Sequence, residues 1–145
     1  MNLFTIGFTQ KKAKDFFEML KNEKIKKLYD VRLNNVSQLA GFAKKNDLEF
    51  FLKELCDAKY FHLPELAPSK ILLNDYKKGE INWESYSDKF LNLIARRNVE
   101  KLMSPEDYDE SCLLCSEHEP HYCHRTLVAN YLNQKGFKLN VKHLF

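Results

Sequence analysis

Apolar positions along the chain switch repeatedly between the two-residue period of a strand and the 3.6-residue period of a helix. Asn2–Gly7 is a short β-prone run that Gly7 punctuates, and the following KKAKDFFEMLKNEK places Ala13, Phe16, Phe17 and Leu20 on one helical face. Residues 25–31 return to strand character, closed by Asp30 and Arg32. Strand, helix and strand within about thirty residues is the length of a right-handed βαβ unit. Residues 33–46 break the pattern, with Asn34, Asn35, Ser37 and Gln38 ahead of Gly41, and read as a loop or broken helix. A second amphipathic helix starts near Asp47, with Leu48, Phe51, Leu52 and Leu55 on its face. Residues 59–63 form a third short strand ended by Pro64.

Residues 65–80 open with the breaker Ala67-Pro68 and read as loop with a helical turn. Residues 81–97 predict a strong helix along Trp83, Tyr86, Phe90, Leu93 and Ile94. Ser104-Pro105-Glu106-Asp107 is a helix-start signature, 111–116 a fourth strand, and 122–135 a helix capped by Gly136. Residues 139–144 make a last strand. This order predicts one α/β domain over residues 1–145: a mostly parallel central sheet of about five strands with helices on both faces, a Rossmann-like three-layer sandwich. Ligands of such folds bind beyond the carboxyl ends of the strands. The segments to inspect are therefore 7–10, 30–38, 62–65 and 116–125.

Composition narrows the class without naming a reaction. With 145 residues, 44 % hydrophobic and 30 % charged, the chain resembles an ordinary globular domain burying roughly two thirds of its unfolded surface. No stretch approaches the length of a membrane span and the start lacks a leader pattern, so no membrane partner and a cytoplasmic location are expected. Four cysteines in such a setting read as reduced thiols, suited to catalysis or metal binding more than to a disulfide framework. A net charge of +3 supports nucleic acid as a partner only weakly. Only four of the 23 basic residues are arginines, namely Arg32, Arg96, Arg97 and Arg125. An arginine kept in a lysine-rich chain suggests a placed guanidinium fork, a surface ion pair being the plainer reading.

Chemistry concentrates in 111–126, SCLLCSEHEPHYCHRT, with three cysteines, three histidines and Arg125. Pro120 argues against one helix through His118, His121 and His124. If a helix begins near His121 or Tyr122, then Cys123, His124 and Arg125 fall in its first turn, where free N–H groups and the dipole favour an anion, phosphate being the obvious occupant. His124, central on the face of Leu127, Val128 and Tyr131, is expected to point toward the sheet near Cys115 and Glu117. One reading is an oxyanion site with Cys123 as nucleophile and His124 as proton carrier. A second is zinc held by Cys112, Cys115, Cys123 and His124, although cysteines three apart on a strand face opposite ways. A third is packing alone. Asp30 and Arg32 would face the same way and could pair, while Glu65 after His62-Leu63-Pro64 is a candidate general base. Gly7 at the first strand-to-helix turn falls far short of a dinucleotide fingerprint.

Taken together, Thr5-Ile6-Gly7, Leu28-Tyr29-Asp30-Val31-Arg32, His62-Leu63-Pro64-Glu65-Leu66, Leu114-Cys115-Ser116-Glu117 and Cys123-His124-Arg125 resemble the family catalogued as domain of unknown function 488 over nearly the whole chain. The resemblance implies a compact α/β domain whose recurring polar positions map onto Asp30, Arg32, Ser37, Glu65, Cys115, Cys123, His124 and Arg125. The expectation is a small enzyme or ligand-binding domain for an anionic, phosphate-bearing or nucleotide-like molecule. Asp30, Arg32, Ser37 and Arg125 would bind it, and Glu65, Cys123 and His124 would do the chemistry. The alternatives are a non-catalytic module with zinc on Cys115, Cys123 and His124 that meets nucleic acid, and a thiol redox sensor using Cys115 and Cys123. The cofactor is unknown.

Overall fold

The computed structural model describes residues 1–35 and 41–145. In chain order its elements are β1 (Asn2–Gly7), α1 (Ala13–Asn22), β2 (Lys27–Asp30), α2 (Lys45–Phe51), β3 (Lys59–His62), α3 (Lys70–Lys77), α4 (Trp83–Arg96), β4 (Ser111–Cys115), α5 (His124–Gln134) and β5 (Asn140–Leu144). The five strands form one sheet in the order β3-β2-β4-β1-β5, and every pairing is parallel.

Both faces of that sheet are covered, so its central strands β1, β2 and β4 are buried almost continuously, while the edge strands β3 and β5 alternate. All five residues of β4 are buried. Alternate side chains supply two cores. Leu3, Tyr29 and Leu113 join Phe90 and Ile94 of α4 and Val128 and Leu132 of α5 on one face. Phe4, Ile6, Leu28 and Leu114 meet Phe16, Phe17 and Leu20 of α1 and Leu48 and Leu52 of the α2 segment on the other. Each such side chain taken fully out of water contributes about 1.5–3 kcal/mol. No helix among the described residues is long and apolar enough to cross a membrane.

The elements differ from the sequence reading in three places, each for a local reason. Residues 70–77 form a true helix, because the Ser69 hydroxyl accepts from the Leu72 amide at 3.1 Å and caps it. The second helix loses its regular face after Phe51, where Leu52–Cys56 winds as a π-helix and leaves Leu55 exposed. The last helix starts at His124, because Tyr122 is left-handed (φ 57°) and Cys123 takes the extended conformation of an N-cap.

Winding decides where a site can form. The connections from β1 and β2 run through α1 and α2 on one face, while those after β3 and β4 run through α3, α4 and α5 on the other. β4 therefore leaves the sheet toward one face while both neighbours, β1 and β2, leave toward the other. Such a divergence opens a crevice at the carboxyl end of a parallel sheet. Segment 116–122 crosses this end directly over Gly7: a Cβ built there would overlap the Glu117 carbonyl. The glycine serves the close approach of one backbone to another. Gly7→Ala should therefore cost about 3 kcal/mol or more in chemical denaturation, and a near-neutral change would show that segment 116–122 can shift freely.

Candidate functional site

The expected residues of β4 and α5 meet beyond this crevice, and Arg125 is at their centre. Its guanidinium is fully buried, yet no carboxylate of the described residues lies within ion-pair distance of it. Nε donates to the Thr5 hydroxyl at 3.2 Å, Nη1 to the Glu117 carbonyl, and Nη2 to the His118 carbonyl at 3.3 Å. Nη1 also points at two sulfurs, Sγ of Cys115 at 3.1 Å and Sγ of Cys123 at 3.6 Å. Burial lowers the Arg125 pKa to about 10, so the group stays a cation at neutral pH.

The two sulfurs come from elements of different origin. Cys115 ends β4, and Cys123 is the N-cap of the eleven-residue α5, making no side-chain capping hydrogen bond. They are joined as a disulfide, where the sequence reading expected reduced thiols, because the end of β4 and the start of α5 bring the two sulfurs together. A helix N-terminus and a guanidinium both favour a negatively charged sulfur at this point. Cys112 and Cys56 are different. Cys112 is fully buried in the opposite core, and burial raises the thiol pKa of both residues.

His124 points to the sheet as its helical position predicts. Nε2 donates to the Val31 carbonyl at 2.7 Å, which leaves Nδ1 as the unprotonated nitrogen of the neutral ring. Burial lowers its pKa to about 4, the charge on Arg125 adding to the effect, and Phe90 packs edge-on at 5.5 Å. Sγ of Cys115, Sγ of Cys123 and a ring nitrogen of His124 lie within 4.8 Å of one another.

Cys115, Cys123 and His124 all line a cavity of about 160 Å³, together with Arg32, Tyr76, Tyr86, Glu117 and Tyr122. Its aromatic wall is continuous: Tyr76 stands 4.7 Å from Tyr86, and Trp83 bridges Tyr86 at 5.4 Å to Tyr122 at 5.5 Å. A larger groove between α3 and α4 is lined by none of the sulfur or imidazole groups.

Asp30 and Arg32 form a different unit. The carboxylate is fully buried and accepts from Arg32 Nε at 2.9 Å, Arg32 Nη2 at 2.8 Å, the Arg32 amide at 3.1 Å and the Tyr60 hydroxyl at 2.6 Å. Arg32 also donates to the Ala43 carbonyl and lies over the Phe8 ring. Glu65 is exposed on a 3-10 turn, its backbone carbonyl held by Arg97, and does not line the cavity. Ser37 lies outside the described residues.

Sequence reasoning missed Thr5, Tyr60 and His143. Thr5 accepts from Arg125 and shares a 2.6 Å hydrogen bond with His143 Nδ1, carrying the Arg125 network to the edge strand β5. A threonine inside an otherwise apolar strand was the available signal. Thr5 and His143 become neighbours only through the parallel register of β1 and β5.

A family model described as domain of unknown function DUF488 matches residues 12–132. No curated protein and no solved structure matches the chain.

The Asp30 cluster is a stability element in which a buried charge depends on its partner. Asp30→Ala should cost about 3–5 kcal/mol by leaving the Arg32 cation unpaired. Tyr60→Phe should cost only about 1 kcal/mol. Urea denaturation measures both, and equal costs would mean that the ion pair does not dominate.

Proposed function

The chain belongs to the DUF488 family, whose description names no activity, and from the geometry of the strand-end cavity we propose that it is a small thiol-dependent enzyme. It would exchange its Cys115–Cys123 dithiol with the disulfide of a small molecule. One observation carries this reading: the buried Arg125 cation has two cysteine sulfurs, and no carboxylate of the described residues, within reach of its Nη1. A buried guanidinium needs a compensating charge, and a thiolate at this pair supplies it. Of the two thiols, Cys123 stands at a helix N-terminus on the cavity wall and is the attacking group.

The exchange balances without further reagents. The Cys123 thiolate attacks one sulfur of R–S–S–R′, forming a Cys123–S–S–R mixed disulfide and releasing R′S⁻, which takes up a proton. Cys115 then loses its proton beside Arg125 and attacks Cys123 Sγ, releasing RS⁻ and leaving the Cys115–Cys123 bond. The substrate gains two electrons, the protein loses two, and an external thiol returns the pair to its starting state. His124, neutral and held by Val31, orients the end of α5 and closes one side of the cavity.

The anion-clamping roles expected of Arg32 and Arg125 carry less weight, because the donors of both serve internal acceptors. Glu65 has no part in the exchange.

Incubating reduced protein with 2-hydroxyethyl disulfide should release two thiols per chain and leave Cys115 joined to Cys123 in a peptide map. Cys115→Ser should stop after one thiol with the label on Cys123, and Cys123→Ser should show no fast reaction. Arg125→Lys, which lacks the further donors that tie the guanidinium to Thr5 and the His118 carbonyl and so hold the charge beside the sulfurs, should slow the first step by about tenfold. Labelling of Cys56 in place of Cys123 would overturn the assignment.

A further inference from the structure

The same three side chains point to a second use of the reduced pair. We infer that Cys115, Cys123 and His124 form a binding site for a thiolate-preferring metal ion of the zinc class, with its fourth position open to the cavity. The inference shares the dithiol with the proposed reaction but does not need that reaction to occur.

Four observations converge on it. First, the donor atoms of the three residues already lie within 4.8 Å of one another. With metal–sulfur bonds of about 2.3 Å and metal–nitrogen bonds of about 2.0 Å, a tetrahedral ion needs ligand atoms roughly 3.5–3.8 Å apart, so the two sulfurs, bonded to each other in this structure, separate on reduction to take up the ion between them. Second, the Cα atoms of Cys115 and Cys123 are 7.6 Å apart. That span lies just beyond the roughly 4.4–6.8 Å usual between disulfide Cα atoms, so the two ends can bond to each other when oxidised and are also wide enough apart to share an ion when reduced. Third, the bond from His124 Nε2 to the Val31 carbonyl fixes the tautomer and leaves Nδ1 with its lone pair. A ligating imidazole almost always has such an outer partner, often a backbone carbonyl. Fourth, Arg125 donates to both sulfurs and would act as the outer shell of two thiolates.

The fourth ligand follows from charge. Two thiolates against a divalent ion and the Arg125 guanidinium leave one positive charge in a buried place. An anionic ligand entering from the cavity would cancel it. Soft sulfur donors together with imidazole favour zinc over magnesium or calcium, which prefer oxygen.

Cobalt(II) is the probe, because thiolate ligation gives it intense near-ultraviolet charge-transfer bands and tetrahedral geometry gives it strong visible bands. Full-length protein reduced under nitrogen should bind one cobalt ion with two thiolates per metal, and zinc should displace it. Zinc should also protect Cys115 and Cys123, among the four cysteines, from alkylation in a peptide map. Cys115→Ser and Cys123→Ser should each weaken the charge-transfer band. His124→Asn should lower zinc affinity by about tenfold or more, at least what loss of an outer-shell partner costs. Cys112→Ser, in the opposite core, should leave binding unchanged. Reduced, folded wild-type protein lacking charge-transfer bands, or bands that persist in the Cys115→Ser/Cys123→Ser double variant, would overturn the site. Should a serine variant fail to fold, the wild-type spectrum and the zinc-protection map decide. Disulfide exchange without cobalt binding would sink only the metal site, and cobalt binding without exchange would sink only the reaction.

Discussion

The structure depends on how one buried cation is satisfied. Moving a guanidinium out of water costs several kcal/mol unless its donors are met and its charge is offset. Arg125 meets that requirement with a hydroxyl from β1, two carbonyls of segment 116–122, and two sulfurs from the end of β4 and the start of α5. Every one of those partners constrains the chain. The Glu117 carbonyl can reach Arg125 only by crossing over Gly7. Thr9 holds the same segment at the Ser116 carbonyl, and Thr126 holds it at the Pro120 carbonyl. The path of 116–122 is thus the outcome of burying one side chain.

Arg32, just beyond the end of β2, shows the other solution to the same problem. Its charge is cancelled by Asp30 in a two-point pair that Tyr60 completes, so the cluster is electrically closed. Among the described residues Arg125 donates only to neutral oxygens and to sulfur, the Glu117 and Glu119 carboxylates acting from beyond ion-pair distance, so the local charge balance of its site turns on the state of two cysteines. Of the two buried arginines, one is scaffold and the other gives its surroundings chemical polarity.

Strand order explains why this occurs at β4. In the order β3-β2-β4-β1-β5, the fourth strand is flanked on both sides by strands whose connections leave toward the opposite face. The end of β4 is therefore where the crevice opens along the sheet's carboxyl edge. The first turn of α5 and the aromatic residues of α3 and α4 close around it as a small cavity.

Much of this was legible in the residues themselves, because hydrophobic period and glycine or proline punctuation act locally. Five strands, the α1 and α4 faces, the wound order and the strand-end location of Cys123, His124 and Arg125 all follow from patterns within single segments. The Asp30–Arg32 pair was legible too, as two residues on the same side of one strand end. Pairing across the sheet was not. That Arg125 would be buried with two sulfurs, that Glu65 would face solvent, and that Thr5 and His143 would join the network depend on parallel register and on which face each connection takes. Those choices are settled by contacts between separate elements, as far as 138 residues apart for Thr5 and His143, and no local pattern encodes them.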